Sequence, residues 1–247
     1  MAWKIVIAGG GFGGFYAAHP GPEPKRRLAR EPGEPRVKPR MRGVTHQYAF
    51  FVSLPVGVGL VFAARGAAAI VATSIYAATL SGLFGVSALY HRIDWSPRAR
   101  RWMRRLDHSM IFMLIAGTYT PIALLALDGT ISVVVLSIIW GGAAAGIILK
   151  LVWIDAPGWL VAVVYLVLGW AGLFALPWVT ASLGVAALVL ILAGGVLYSV
   201  GAVIYARKRP DPVPTVFGYH EIFHLLVIGA AIFHLAVVVF FVLPGEA

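Results

Sequence analysis

The sequence predicts an all-α membrane protein, a bundle of seven transmembrane helices, and three observations lead to this prediction. The 247 residues are 60% hydrophobic and only 12% charged, which is too apolar for an ordinary soluble domain. From about residue 45 onward, seven stretches are apolar over the roughly 17 to 25 residues that a helix needs to cross a bilayer. Lys and Arg residues are concentrated in alternate connections between these stretches, as the positive-inside rule expects.

The predicted spans follow one another with short connections. They lie near residues 45–64, 67–91, 107–127, 130–151, 158–178, 183–206 and 218–243. The apolar run from Trp159 to Tyr205 is long enough for one continuous helix, but turn-forming and small polar residues near its middle favour a hairpin between a fifth and a sixth span. These residues are Pro177, Thr180, Ser182 and Gly184.

The distribution of positive charge predicts the orientation of the bundle. Seven crossings place the N-terminal arm and the second, fourth and sixth connections on one side of the membrane. Of the 20 Lys and Arg residues, only Arg65 falls on the other side. We therefore expect a multi-pass protein of the cell membrane with a cytoplasmic N-terminus and an external C-terminus. The net charge of +10 then reflects orientation and anionic headgroups, and we expect no nucleic-acid partner.

The chain is predicted to divide into a basic, Pro- and Gly-rich arm, residues 1–42, and a seven-helix membrane domain, residues 43–247. In the arm, Gly9, Gly11 and Gly14 follow an apolar strand-like segment and match the G-x-G-x-x-G fingerprint of dinucleotide-binding proteins. Six prolines between residues 20 and 39 replace the helix and second strand that this motif requires. We therefore expect no nucleotide binding, and interpret the arm as disordered or as a remnant of another coding segment.

As a hypothesis, Met41 is the natural start of the protein. The stretch that follows it contains every predicted span. N-terminal mass analysis of protein expressed from the native gene tests this hypothesis, which is wrong if the preceding 40 residues are found attached.

Five polar residues from three separate spans are predicted to share one depth, near the cytoplasmic face. The second span ends there at His91, and Ser87 lies one turn deeper on the same helix face. The third span begins there with Asp107. The seventh span begins there with His220 and His224, and their spacing of four places both rings on one face.

This group of residues fits a catalytic zinc site. The chain has no cysteine, so a metal must be held by histidine, carboxylate, hydroxyl or water. We predict His91, His220 and His224 as the ligands, since three imidazoles leave a fourth position for water. Asp107 is the candidate partner of that water, and Ser87 a donor to it or to a substrate carbonyl. The alternative is that water and headgroups satisfy these side chains without a metal, and that Ser87 only packs between helices.

The remaining histidines are expected to have other roles. His234 lies about 15 Å beyond His224 along the same helix, too far to bind the same ion, and is expected to be packed and hydrogen-bonded within the bundle. His108 projects about 100° away from its neighbour Asp107 and is expected to contact headgroups. His46 either contacts a ligand or lies at the interface, and His19 belongs to the arm.

Three sequence blocks, in this order, resemble the hemolysin III family, part of the wider group that includes the progestin and adipoQ receptors. They are SALYH at 87–91, LDH at 106–108 leading into AGTYTP at 116–121, and HEIFH at 220–224 with His234 downstream. The resemblance covers about residues 41–243. It implies a seven-helix fold with an intracellular N-terminus, and zinc near the cytoplasmic face held by the three histidines with the aspartate and serine completing the site. The first 40 residues have no counterpart in it.

Two functions from different classes agree with these features. The first is a zinc hydrolase acting on a lipid amide or ester, as some relatives in this group are thought to act on ceramides, with Asp107 as general base and Ser87 at the oxyanion. The second is a pore-forming cytolysin or a membrane sensor in which zinc ties the second and seventh spans together. No predicted span has the continuous polar stripe of an aqueous pore. Membrane lipids are the expected partners.

Overall fold

The computed structural model of the chain describes residues 38–246. Most of the arm predicted at residues 1–42, including the glycine motif and His19, lies outside these residues. The described part folds into long helices that run from the start of the predicted membrane domain almost to its end.

Seven α-helices make up this part of the chain. They are α1 (Val44–Ala63), α2 (Gly66–Arg92), α3 (Pro97–Ala126), α4 (Gly129–Val152), α5 (Gly158–Trp170), α6 (Leu176–Arg207) and α7 (Tyr219–Val237). A 3-10 segment joins α5 to α6, and α7 continues into a short π turn. Six helical stretches among the described residues are long and apolar enough to cross a membrane, with Gly158–Arg207 counted as one stretch of 50 residues. The predicted all-α membrane fold is confirmed.

The chain reverses direction inside α6, at Gly184. This residue has a φ of 81°, in the left-handed region that glycine adopts without steric cost. Trp170 precedes Gly184 and Ser199 follows it, yet the indole nitrogen of Trp170 donates to the Ser199 hydroxyl at 2.9 Å. A straight helix would separate these two residues by about 43 Å. The 50-residue stretch therefore consists of two antiparallel arms, at the place where the sequence favours a hairpin. That each arm crosses the membrane stays a prediction.

Helix α3 begins ten residues before the apolar stretch that was predicted as the third span. Pro97 occupies its first turn, and the Ser96 side chain accepts a hydrogen bond from the backbone of Ala99 at 3.4 Å, which is a common way to start a helix. Five of the six arginines in the predicted connection between the second and third spans therefore lie on α3, and the sixth, Arg92, ends α2. Hydropathy marks the part of a helix that suits hydrocarbon, whereas arginine also favours helix outside it.

Close packing between neighbouring helices fixes the elements that carry the polar residues. Helix α2 packs against α1 and α3, and α7 packs against α6 and α1. At the contact of α2 with α3, a Cβ on Gly117 would meet the Thr79 hydroxyl oxygen at 1.9 Å, so only glycine permits this approach. Such small residues are the usual means by which membrane helices approach each other. The histidines and Asp107 are therefore carried by elements in direct contact.

Candidate metal centre

Three histidines from two helices converge at one end of the bundle. One ring nitrogen from each of His91, His220 and His224 lies within 4.8 Å of the others. The Nε2 atoms of His91 and His220 are 3.1 Å apart. All three side chains are buried. The predicted convergence of these residues is confirmed, because the last turn of α2 lies beside the first turns of α7.

The geometry of the three rings suits a metal ion. Two nitrogens that each lie about 2.05 Å from a tetrahedral ion are about 3.3 Å apart, close to the observed separation of the His91 and His220 nitrogens. Each neutral imidazole has only one N–H group, so three ring nitrogens that converge without a cation cannot all form hydrogen bonds with one another. A buried polar atom without a partner is costly. An all-imidazole set suits zinc and other transition metals better than calcium or magnesium, which prefer oxygen ligands. This site can therefore hold a metal ion.

A fourth histidine, His46 of α1, belongs to the same cluster. Its ring lies parallel to the ring of His224, with centroids 3.7 Å apart and an angle of 8° between the planes. Only 3% of its surface is exposed. The sequence left open whether His46 contacts a ligand or lies at the interface, and the structure places it in contact with a candidate ligand. The signal available from the sequence was its predicted depth, which equals that of the other histidines.

Asp107 and Ser87 line the same cavity as His220 and His224. The Ser87 hydroxyl lies beside the Asp107 carboxyl group. Ser87 is buried, whereas Asp107 is half-buried. All five residues predicted to share one depth therefore lie at one end of the bundle, with the carboxylate and the hydroxyl side by side.

His108 lies differently from what the sequence led us to expect. It also lines the cavity beside Asp107, and its Nδ1 atom is buried, so the expected contact with headgroups is wrong. Its backbone carbonyl accepts a hydrogen bond from the Tyr165 hydroxyl at 2.9 Å. Helix α3 packs against several other helices, and a side chain that points away from Asp107 therefore still faces the interior.

A buried ion pair beside the histidines escaped the sequence analysis. Glu221, the residue after His220, is completely buried, and its carboxylate pairs with the guanidinium of Arg42. The second carboxylate oxygen accepts a hydrogen bond from the backbone of Gly218 at 2.8 Å. The pair joins the residues just before α1 to the first turn of α7. In the sequence, Arg42 lies among the positive charges of the arm and Glu221 lies within the HEIFH block, 179 residues away, so no local spacing links the two.

The chain just before Arg42 is also attached to the membrane domain. The backbone amides of Arg40 and Met41 donate to the carbonyls of Thr215 and Val216, in the connection between α6 and α7, at 3.1 and 3.0 Å. These residues were assigned to the arm, yet they pair with the loop that leads into His220. The last residues of the predicted arm therefore contact the membrane domain directly.

An apolar space extends from the histidines into the bundle. The cavity at the metal centre adjoins a second cavity of about 110 Å³, and the two share lining residues from α2, α3, α5, α6 and α7. The shared residues are Leu83, Ile111, Tyr165, Ala202, Phe223 and Val227. Five of these six are apolar, so the polar site opens onto an apolar interior.

Comparisons with known proteins agree on one family. A family model described as Haemolysin-III related matches residues 35–235. The chain is 35% identical over 205 residues to Hemolysin-3 of Bacillus cereus, which covers 81% of this chain and 90% of that protein. It is 36% identical over 191 residues to the Hemolysin-3 homolog of Bacillus subtilis (strain 168), covering 76% of this chain and 86% of the relative. The family match includes all five predicted site residues and begins before Arg42.

Proposed function

The chain belongs to the haemolysin-III-related family of multi-pass membrane proteins, and we propose that it is a zinc-dependent hydrolase of a lipid amide or ester. The observation that carries this proposal is the convergence of His91, His220 and His224 in a site that also holds the Ser87–Asp107 pair. Three imidazoles leave one position of a tetrahedral ion free for water, which is the arrangement of catalytic rather than structural zinc.

Zinc held by His91, His220 and His224 would supply Lewis acidity toward a carbonyl group and would make a water molecule a stronger nucleophile near neutral pH. Asp107 accepts a proton as the water oxygen attacks the carbonyl carbon, and delivers it to the leaving amine or alcohol when the C–N or C–O bond breaks. The products are a fatty acid and the amine or alcohol. Ser87 lies beside the carboxylate, and its hydroxyl can donate to the carbonyl oxygen as negative charge develops there.

The apolar cavity supports a lipid as the substrate. The lining shared by the two cavities offers hydrocarbon contacts, and burial of each methylene contributes about 0.8 kcal/mol. When the carbonyl group of the lipid lies beside the histidines, its acyl chain extends into the second cavity, inside the bundle. A ceramide-like lipid, with a long acyl chain on an amide, fits these requirements, and it reaches the site laterally from the bilayer.

The experiment compares turnover of wild type and Asp107→Asn in detergent, with a broad panel of lipid amides and esters. Asn keeps the shape of the side chain but accepts no proton, so kcat should fall by about 10²- to 10⁴-fold while bound zinc is unchanged. A protein that contains zinc yet cleaves no lipid of the panel, and whose Asp107→Ala variant changes no cellular lipid, contradicts the proposal.

The name of the relatives favours a second candidate function. Both are called Hemolysin-3 or a homolog of it, so we also consider membrane lysis, or sensing, by a non-enzymatic protein whose metal only ties α2 to α7. Loss of the fold in His220→Ala, together with normal behaviour of Asp107→Ala in an erythrocyte lysis assay, favours this candidate. An intact fold with lost turnover favours the hydrolase.

A further inference from the structure

Several polar side chains line the second cavity, and two of them are neighbours at the end away from the metal centre. His234 of α7 and Tyr198 of α6 both line it, and their ring centroids are 5.6 Å apart. His234 lies ten residues, about 15 Å of helix, beyond His224. The rest of the lining is mainly aliphatic and aromatic. These two groups therefore form a polar spot deep within an apolar space.

The contacts of His234 define what its free nitrogen can bind. Its Nε2 atom lies 3.2 Å from the backbone carbonyl oxygen of Ile191. A carbonyl only accepts hydrogen bonds, so in the neutral ring Nε2 carries the hydrogen and Nδ1 is an acceptor. Nδ1 is buried and has no hydrogen-bond partner among the described residues. Gly194 leaves room for the ring in this position, because a Cβ at this residue would lie 2.5 Å from Nε2.

Tyr198 offers the complementary group. Its hydroxyl is also buried and has no hydrogen-bond partner in the described part of the chain. By contrast, the hydroxyl of Tyr119, on the same cavity, donates to the Gly169 carbonyl at 2.6 Å. Buried polar atoms are nearly always paired. Two unpaired ones on a single cavity therefore point to a polar group that enters it.

We propose that this cavity binds a lipid chain that carries a hydroxyl group, with the hydroxyl held between His234 and Tyr198. A hydroxyl has both functions that the two side chains require: it donates to Nδ1 of His234 and accepts from the hydroxyl of Tyr198. An unsubstituted chain satisfies neither atom, and each buried atom left unpaired weakens its binding.

The position of the hydroxyl on the lipid follows from the distance between the two sites. This step rests on the proposed function, which places the carbonyl end of the lipid at the histidines. An extended alkyl chain advances about 1.25 Å per carbon–carbon bond, so the distance of about 15 Å along α7 corresponds to about twelve carbons. The site therefore selects a hydroxyl near carbon 12 of an acyl chain.

Equilibrium binding of three probes to the full, zinc-loaded chain in nanodiscs tests this inference. The probes are stearate, 12-hydroxystearate and 18-hydroxystearate. We expect 12-hydroxystearate to bind about fivefold to tenfold more tightly than stearate, as two buried hydrogen bonds predict. The hydroxyl of 18-hydroxystearate lies beyond the polar spot, so this probe should show no such gain.

Substitutions assign the preference to the two side chains. Tyr198→Phe removes one oxygen atom and should reduce the preference to less than about twofold, as should His234→Phe if that variant folds. Tyr119→Phe is the matched control, because its hydroxyl is already bonded within the protein, and it should keep the wild-type preference. The inference is overturned if wild type binds all three probes equally. It is also overturned if Tyr198→Phe keeps the preference for 12-hydroxystearate, or if Tyr198→Phe and Tyr119→Phe lose that preference equally. Binding does not require turnover, so inactivity toward lipids with an intact preference contradicts only the proposed hydrolase.

Discussion

At the scale of single residues, the orientation of the candidate ligands depends on neighbours that bind no metal themselves. The ring of His46 lies flat on the ring of His224, and Ser87 lies beside Asp107. Supporting contacts of this kind typically change metal affinity 10- to 100-fold when they are lost. The contacts around the three histidines are therefore part of the site.

Substitution of His46 tests this support. His46→Ala removes the stacked ring, and we expect zinc affinity to fall at least about tenfold. His46→Phe keeps an aromatic face against His224 and should retain most of the affinity. Competition with a chelator of known affinity measures both values. A loss as large in the Phe variant as in the Ala variant would show that an imidazole nitrogen, and not the stacked face, is required.

The sequence was sufficient to predict the three converging histidines but not the residues that support them. Helical spacing and predicted topology give each side chain a depth and a face, which was enough for His91, His220 and His224. The His46 stack and the Arg42–Glu221 pair depend on how α1 is rotated and how closely it meets α7. Hydropathy contains no information on that rotation, because the helices of this bundle are apolar on most sides.

At the scale of elements, the pair of Arg42 with Glu221 joins the start of α1 to the start of α7. Arg42→Ala would leave a carboxylate that is completely buried without its cation, and this should destabilise the fold by about 3 kcal/mol. Lys38→Ala is the control. It removes an ion pair with Asp94 in which both side chains are exposed, and should cost less than about 1 kcal/mol. Urea denaturation in detergent measures the difference, and equal stability of the two variants contradicts this role of the buried pair.

The reversal at Gly184 can be tested with a second glycine. A Cβ at either Gly184 or Gly141 would meet nothing within 4 Å, but only Gly184 has a positive φ. Gly184→Ala should therefore lower the free energy of unfolding by about 1 kcal/mol through backbone strain. Gly141→Ala, within α4, should raise it by up to about 1 kcal/mol through helix propensity. The same denaturation assay distinguishes these signs, and a neutral Gly184→Ala variant would argue against a reversal at this residue.

Most helix bounds followed from hydropathy because the ends of apolar stretches coincide with the ends of helices. The predicted first, second and fourth spans agree with α1, α2 and α4 to within one residue at each end. The start of α3 was missed because its first turns are basic and follow a serine–proline start rather than a change in hydropathy. The break between the fifth and sixth spans was predicted at residues 179–182, whereas the structure keeps helical geometry up to Gly184, the last of the turn-forming residues in this region.

At the scale of the whole molecule, the orientation of the bundle remains a prediction from the charge distribution. The chain has no cysteine, so single cysteines can be introduced without background. Ser182→Cys, beside the reversal, and Arg65→Cys should react with a membrane-impermeant reagent added outside intact cells, whereas Lys208→Cys should react only after lysis. Protection of Ser182→Cys in intact cells would contradict seven crossings.

The proposed function depends on the three histidines, which the fold brings together and which lie within the family match. Metal analysis of the purified full-length protein tests them most directly, by comparing wild type with His220→Ala/His224→Ala and with His234→Ala as the control. We expect about one zinc per chain in wild type and in the control, and no zinc above background in the double variant. Equal zinc in wild type and the double variant would contradict the metal centre.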